Sequence, residues 1–105
     1  RYAEDGDLYF RLAQALSAED RHKEAVKAYS DAQKKGDLNR PGDVAFWKGI
    51  SQMQLERWDS ATKSFRSAAK LDKKKSKQSR RYIRYIAGER RRQKELRKML
   101  EGVGE

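Results

Sequence analysis

Few side chains in this chain could carry a reaction. His22 is its one histidine. It stands among charges near the start of a predicted helix, where an imidazole is ordinarily solvated or locally satisfied and does not act as a general base. The acidic pairs Asp5/Asp7 and Glu19/Asp20 fall in predicted turns and caps, not on facing helix surfaces. With no cysteine, neither a disulfide nor a thiolate metal site can form. No Gly-rich phosphate loop and no nucleophile motif occurs. These features predict no catalytic residue, no metal and no cofactor, hence no enzyme.

The chemistry that remains is recognition. Arg80, Arg81 and Arg84 interleave with Tyr82 and Tyr85, and Arg90, Arg91 and Arg92 follow. Guanidinium groups can neutralise phosphates and phenol rings can stack on bases, so the run is a candidate anion or nucleic-acid patch. The same residues also suit a solvated helical cap, because Arg, Lys, Glu and Gln are good helix formers, or an attraction surface for an acidic partner or anionic lipid. A membrane-surface helix needs a broad apolar face, and residues 88–95, GERRRQKE, have none.

Charge is distributed unevenly. Residues 1–69 hold 12 Lys and Arg against 11 Asp and Glu; residues 70–105 hold 14 against 5, so the net charge of +10 lies almost wholly in the C-terminal third. Apolar residues make up 36% of 105 residues, enough for one thin core of stacked helices and no more. No stretch approaches the 18 or so apolar residues needed to cross a membrane. Arg1, with no Met and no apolar targeting stretch, reads as the start of a segment of a longer protein.

The elements follow from periodicity. Residues 1–6 form a lead-in. Leu8, Leu12, Ala15 and Leu16 fall at helical spacing from Asp7, and Ala25, Val26, Ala28, Tyr29 and Ala32 share one face over 21–35. Lys34, Lys35 and Gly36 suit a helix end. Pro41-Gly42 is the strongest turn signal. Helices are predicted over 43–55 and 58–71, a basic linker over 72–78, a basic C-terminal helix over 79–100 with a small apolar patch at Leu96, Met99 and Leu100 that could mediate self-association, and a disordered tail over 101–105.

Two of these segments repeat. Ala25, Tyr29 and Ala32 recur 36 residues later as Ala61, Phe65 and Ala68, and Ala13 recurs as Gly49. Self-similarity at such a period signals stacked units. The pattern resembles tetratricopeptide repeats. In repeat 1 (7–36), Tyr9, Leu12, Ala13 and Leu16 take the helix A places of that family, and Ala25, Tyr29 and Ala32 those of helix B. In repeat 2 (43–71), Gly49, Trp58, Ala61, Phe65 and Ala68 match, while Ala45, Lys48 and Gln52 stand where large apolar residues are usual. The period of 36 exceeds the family's 34. The resemblance implies an all-α, right-handed solenoid of two helical hairpins with a long C-terminal capping helix.

It further implies an interaction scaffold whose A helices line a concave groove for a peptide or helix of a partner protein. The groove residues would be Phe10, Arg11 and Gln14 from the first unit and Phe46, Trp47, Ile50 and Met53 from the second, unless the last helix lies across them. Family members that clamp acidic chaperone C-termini use Lys and Asn at the first groove positions, where Phe10 and Gln14 stand here, so that clamp is not expected. The second unit and the helix after it resemble C-terminal repeats of bacterial envelope proteins, which implies a bacterial origin and, between cytoplasm and periplasm, leans to the periplasm.

Overall fold

A computed structural model describes residues 5–103. Five helices follow in order: α1 (Gly6–Ala18), α2 (His22–Lys35), α3 (Pro41–Gln54), α4 (Trp58–Leu71) and α5 (Lys73–Val103). Among the described residues there is no strand. Each helix packs on the next, and α5 lies mainly on α4 with a smaller contact to α3.

The 36-residue recurrence extends to the backbone. Asp20 and Glu56 both adopt left-handed conformations, with φ of 61° and 57°. At both turns the next residue donates back into the finished helix: Arg21 N–H to the Leu16 carbonyl and Arg57 N–H to the Gln52 carbonyl, each at 2.9 Å. Asp20 N–H to Ser17 and Glu56 N–H to Met53 complete the same double bond pattern, which satisfies carbonyls a helix C-terminus otherwise leaves open. The first turn of the first helix of each hairpin also holds a buried glycine, Gly6 and Gly42. A Cβ on Gly6 would stand 2.4 Å from the Gly36 carbonyl oxygen, and one on Gly42 2.5 Å from the Asp72 Cβ. Each hairpin therefore closes where the start of its first helix meets the end of its second.

Two thin cores result. Ala13, Ala25, Ala28, Tyr29, Ala32 and Val44 form the first. Ala45, Phe46, Ala61, Phe65, Ala68 and Ile86 form the second, with Tyr82 and Ile83 of α5 packed against it. Small side chains bring the helix axes close, and Tyr29 and Phe65 fill what is left. Lys48 and Gln52 are accommodated by specific partners: Lys48 Nζ donates to Gln33 Oε1 at 2.9 Å on α2, and Ser64 Oγ of α4 donates to Gln52 Oε1 at 2.6 Å.

Some boundaries differ from expectation. Pro41 is the first residue of α3 and not part of a turn, because a proline at that position loses no hydrogen bond and is already held near helical φ. The stretch 72–78, expected as a linker, is helical from Lys73. Asp72 breaks from α4 with an extended backbone, and its carboxylate accepts the Lys74 N–H at 3.0 Å, capping α5 at once. Helix also continues past residue 100 to Val103, where a tail was expected; residues 104–105, and 1–4 of the expected lead-in, lie outside the described residues. At about 1.5 Å per residue α5 is roughly 46 Å long, so its C-terminal end, past the contacts of Arg90 with Asp59 and Gln93 with Glu56, reaches beyond the hairpins and stretches the molecule to 62 Å by 27 Å by 19 Å.

Two substitutions should move stability in opposite directions. Gly42→Ala forces Asp72 and the α5 cap to shift and should cost about 1–3 kcal/mol, a fall of several degrees in melting temperature. Glu56→Gly relieves a left-handed non-glycine residue and should raise stability by up to about 1 kcal/mol. Thermal denaturation by circular dichroism reads both.

Candidate interaction surfaces

The first hairpin brings its predicted groove residues together. Phe10, Arg11 and Gln14 line a hollow of about 340 Å³ with Asp7, Asn39 and Arg40. Phe10 is half-buried, its ring 6.0 Å from that of Tyr29 and tilted by 48°. Arg11 and Gln14 are exposed. The Asn39 N–H donates to Asp7 Oδ1 at 3.2 Å, which pins the loop after α2 across the start of α1 and forms one wall. Neither Asn39 nor Arg40 was expected from sequence. The signal was their register: Asn39 and Lys75 are 36 apart and face the equally spaced Asp7 and Asp43, with Lys75 Nζ 3.5 Å from Asp43 Oδ1.

The second hairpin departs from the expected groove. Phe46 is only 3% exposed and belongs to the core, and Ile50 and Met53 are half-buried against that core. The cause is α5. Tyr82 lies parallel to Phe65, with centroids 5.1 Å apart and planes 9° apart, and Phe46 meets both rings edge-on at 5.5 Å and 5.7 Å. The Lys75 ammonium sits 4.9 Å from the Phe46 centroid and adds a cation–π contact. Trp47 keeps 38% exposure, edge-on to Phe46. A different hollow, of about 360 Å³, opens beside the covered strip and is lined by Met53, Gln78, Arg81, Tyr82 and Tyr85.

The arginine patch is divided. Arg90 bonds Asp59 on α4, and Arg92 pairs with Glu89 one turn back. Arg81 turns to the hollow with Tyr82 and Tyr85. Arg80, Arg84 and Arg91 are exposed and form no ion pair among the described residues. Tyr82, wanted for base stacking, spends its ring face on Phe65. Leu96, Met99 and Leu100 are exposed on the projecting end of α5.

His22 Nε2 is 3.6 Å from Asp20 Oδ1, and its buried Nδ1 has no hydrogen-bond partner. Among the described residues no group of three or more His, Cys, Asp or Glu converges to hold a metal, and no helix is long and apolar enough to cross a membrane. Burial lowers the pKa of the Lys48 ammonium, and burial pushes the Tyr29 phenol up to about 12, the Ser17 hydroxyl pulling the other way. In comparisons with known proteins, no family model, no curated protein and no solved structure matches the chain.

The Tyr29 shift makes stability depend on alkaline pH. Folding favours the neutral phenol, so its contribution is complete below the ordinary tyrosine pKa near 10 and is lost as pH rises from there to about 12. Urea denaturation across pH 9–12 should show a steeper loss for the parent chain than for Tyr29→Phe; parallel curves would count against this account.

Proposed function

We propose that this chain is a protein-interaction module with no reaction of its own, built from two tetratricopeptide-type hairpins and closed at one end by α5. The observation that carries this reading is the hollow around Phe10, Arg11 and Gln14. It joins a half-buried aromatic floor to an exposed guanidinium and an exposed amide, with Asp7 and the 39–40 loop as walls. Aromatic rings and arginine are the side chains that most often anchor protein interfaces, because each offers a large contact area with directional polarity.

The ligand is a short peptide segment of a partner protein, presenting an apolar or aromatic side chain to Phe10 and an acceptor to Arg11. Part of the expected surface is withdrawn: Phe46 is core, so the site centres on the first hairpin, and Trp47 is its only strongly exposed aromatic extension into the second. Two A helices and a loop wall pinned by the Asn39–Asp7 hydrogen bond suit binding without large rearrangement.

The test is selection of binders from a random peptide library displayed on phage. Arg11→Glu and Gln14→Lys lie on exposed positions and should leave the melting temperature within about 2 °C while weakening selected peptides at least tenfold. Peptides that bind the Arg11→Glu chain as well as the parent, or a library that yields no binder, would remove this reading.

A further inference from the structure

The open side of α5 differs from the corresponding side of α3. In α3, Val44 and Lys48 face α2, and one position further round Ala45, Gly49 and Gln52 face α4. In α5, Ser79 and Ile86 are buried and Ile83 packs against the core that includes α4. One position further round lie Arg80, Arg84 and Ala87, all exposed. Where α3 receives the next helix with small and apolar groups, α5 presents cations, so a further apolar helix is not received there.

That side carries a row at steps of three, four and seven residues: Lys77, Arg80, Arg84, Arg91, Lys94 and Lys98. At about 100° per residue they share one flank of the helix and extend along roughly 32 Å of it. All six are exposed, and none pairs with a carboxylate among the described residues. Some cations elsewhere find acids, such as Arg90 with Asp59, Arg92 with Glu89, Lys75 with Asp43 and Lys27 with Asp31, and others, such as Lys23, Lys63 and Arg66, do not; what sets the row apart is its run along one helix flank. A flank serving solubility alone would mix signs at these spacings; here Glu95 at the edge is the one acid. In the gap at Ala87-Gly88 the surface is bare, and a Cβ on Gly88 would meet nothing within 4 Å.

The partner must be a long, regular polyanion. A helical acidic peptide or a lipid surface gains much of its affinity from apolar anchors, and the aromatic side chain that this flank reaches is Trp58, half-buried in a hollow with Arg90, Arg91 and Lys94. A single strand is held largely by stacking on aromatic rings; Tyr82 is committed to Phe65, and the exposed Tyr85 lies beside Arg81, off this row. A duplex keeps its bases inside and offers phosphates over about 34 Å per turn, close to the length of the row. We propose that this flank of α5 binds the phosphate backbone of double-stranded nucleic acid without reading its sequence. The hollow near Phe10 is not involved.

The experiment is fluorescence anisotropy of the whole chain with a labelled 24-base-pair duplex, the matching single strand, polyglutamate and phosphatidylserine vesicles. Duplex affinity should exceed that for the other three and should fall about 40-fold between 50 and 200 mM salt if three phosphates are neutralised. The triple variant R84Q/R91Q/K94Q should weaken the duplex at least tenfold at 50 mM salt with its melting temperature kept. K23Q/K27Q/K34Q, which removes the same charge from α2, should stay within about twofold of the parent. Absent duplex binding at 50 mM salt, equal losses in the two triples, or tighter binding to the single strand, polyglutamate or the vesicles would overturn the proposal.

Discussion

The arrangement depends on the ring of Phe65. Gly49 leaves no side chain between α3 and α4, and a Cβ there would stand 3.0 Å from the Phe65 ring. Tyr82 of α5 lies flat on Phe65, and Phe46 closes the group edge-on to both. Three helices are thereby joined through one aromatic cluster, in which offset and edge-on ring contacts add to the burial of apolar area. In the first hairpin Tyr29 occupies the equivalent place over Ala13, but no later helix supplies a stacked ring, and Phe10 meets it only at a tilt. The two hairpins repeat in backbone and differ in what rests on them.

This difference decides which surfaces are available for binding. Because α5 is seated by Tyr82, Ile83 and Ile86, the aromatic strip of α3 becomes interior and the accessible hollow moves to α1 and the 39–40 loop. The same seating sets the rotation of α5 about its axis. Lys75 and Arg90, on the side toward α3 and α4, find partners in Asp43 and Asp59, and the six cations of the adjoining flank do not. A helix this polar has little intrinsic reason to be docked at one rotation over another; the apolar contacts of Tyr82, Ile83 and Ile86 impose it, and the rest of the helix carries the consequence outward.

Much of the architecture was legible in the chain. The apolar spacing located all five helices, and the pairs Ala25/Ala61, Tyr29/Phe65 and Ala13/Gly49 marked the close-packed positions. The closure of each hairpin was less visible. The pairs Gly6/Gly42, Asp7/Asp43, Asp20/Glu56 and Asn39/Lys75 all carry the same 36-residue spacing, but two of the four join unlike residue types. Their likeness lies in backbone conformation and hydrogen bonding, which residue type only weakly encodes. The start of α5 was misread as a linker because lysines signal a solvated loop and a solvated helix equally well; the Asp72 cap resolves it. The candidate site was half legible: Phe10, Arg11 and Gln14 meet in one hollow, whereas Phe46, Ile50 and Met53 are covered.

By itself the sequence determined the helical character, the two-fold repetition, the near-neutral body and the basic C-terminal third, because these depend on local spacing, side-chain size and formal charge. Only the tertiary structure decided which aromatic residues are interior and which cations stay uncompensated. Both depend on how α5 is rotated and placed against α4, and that is set by ring contacts between residues 17 and 36 positions apart, well beyond any single helical period.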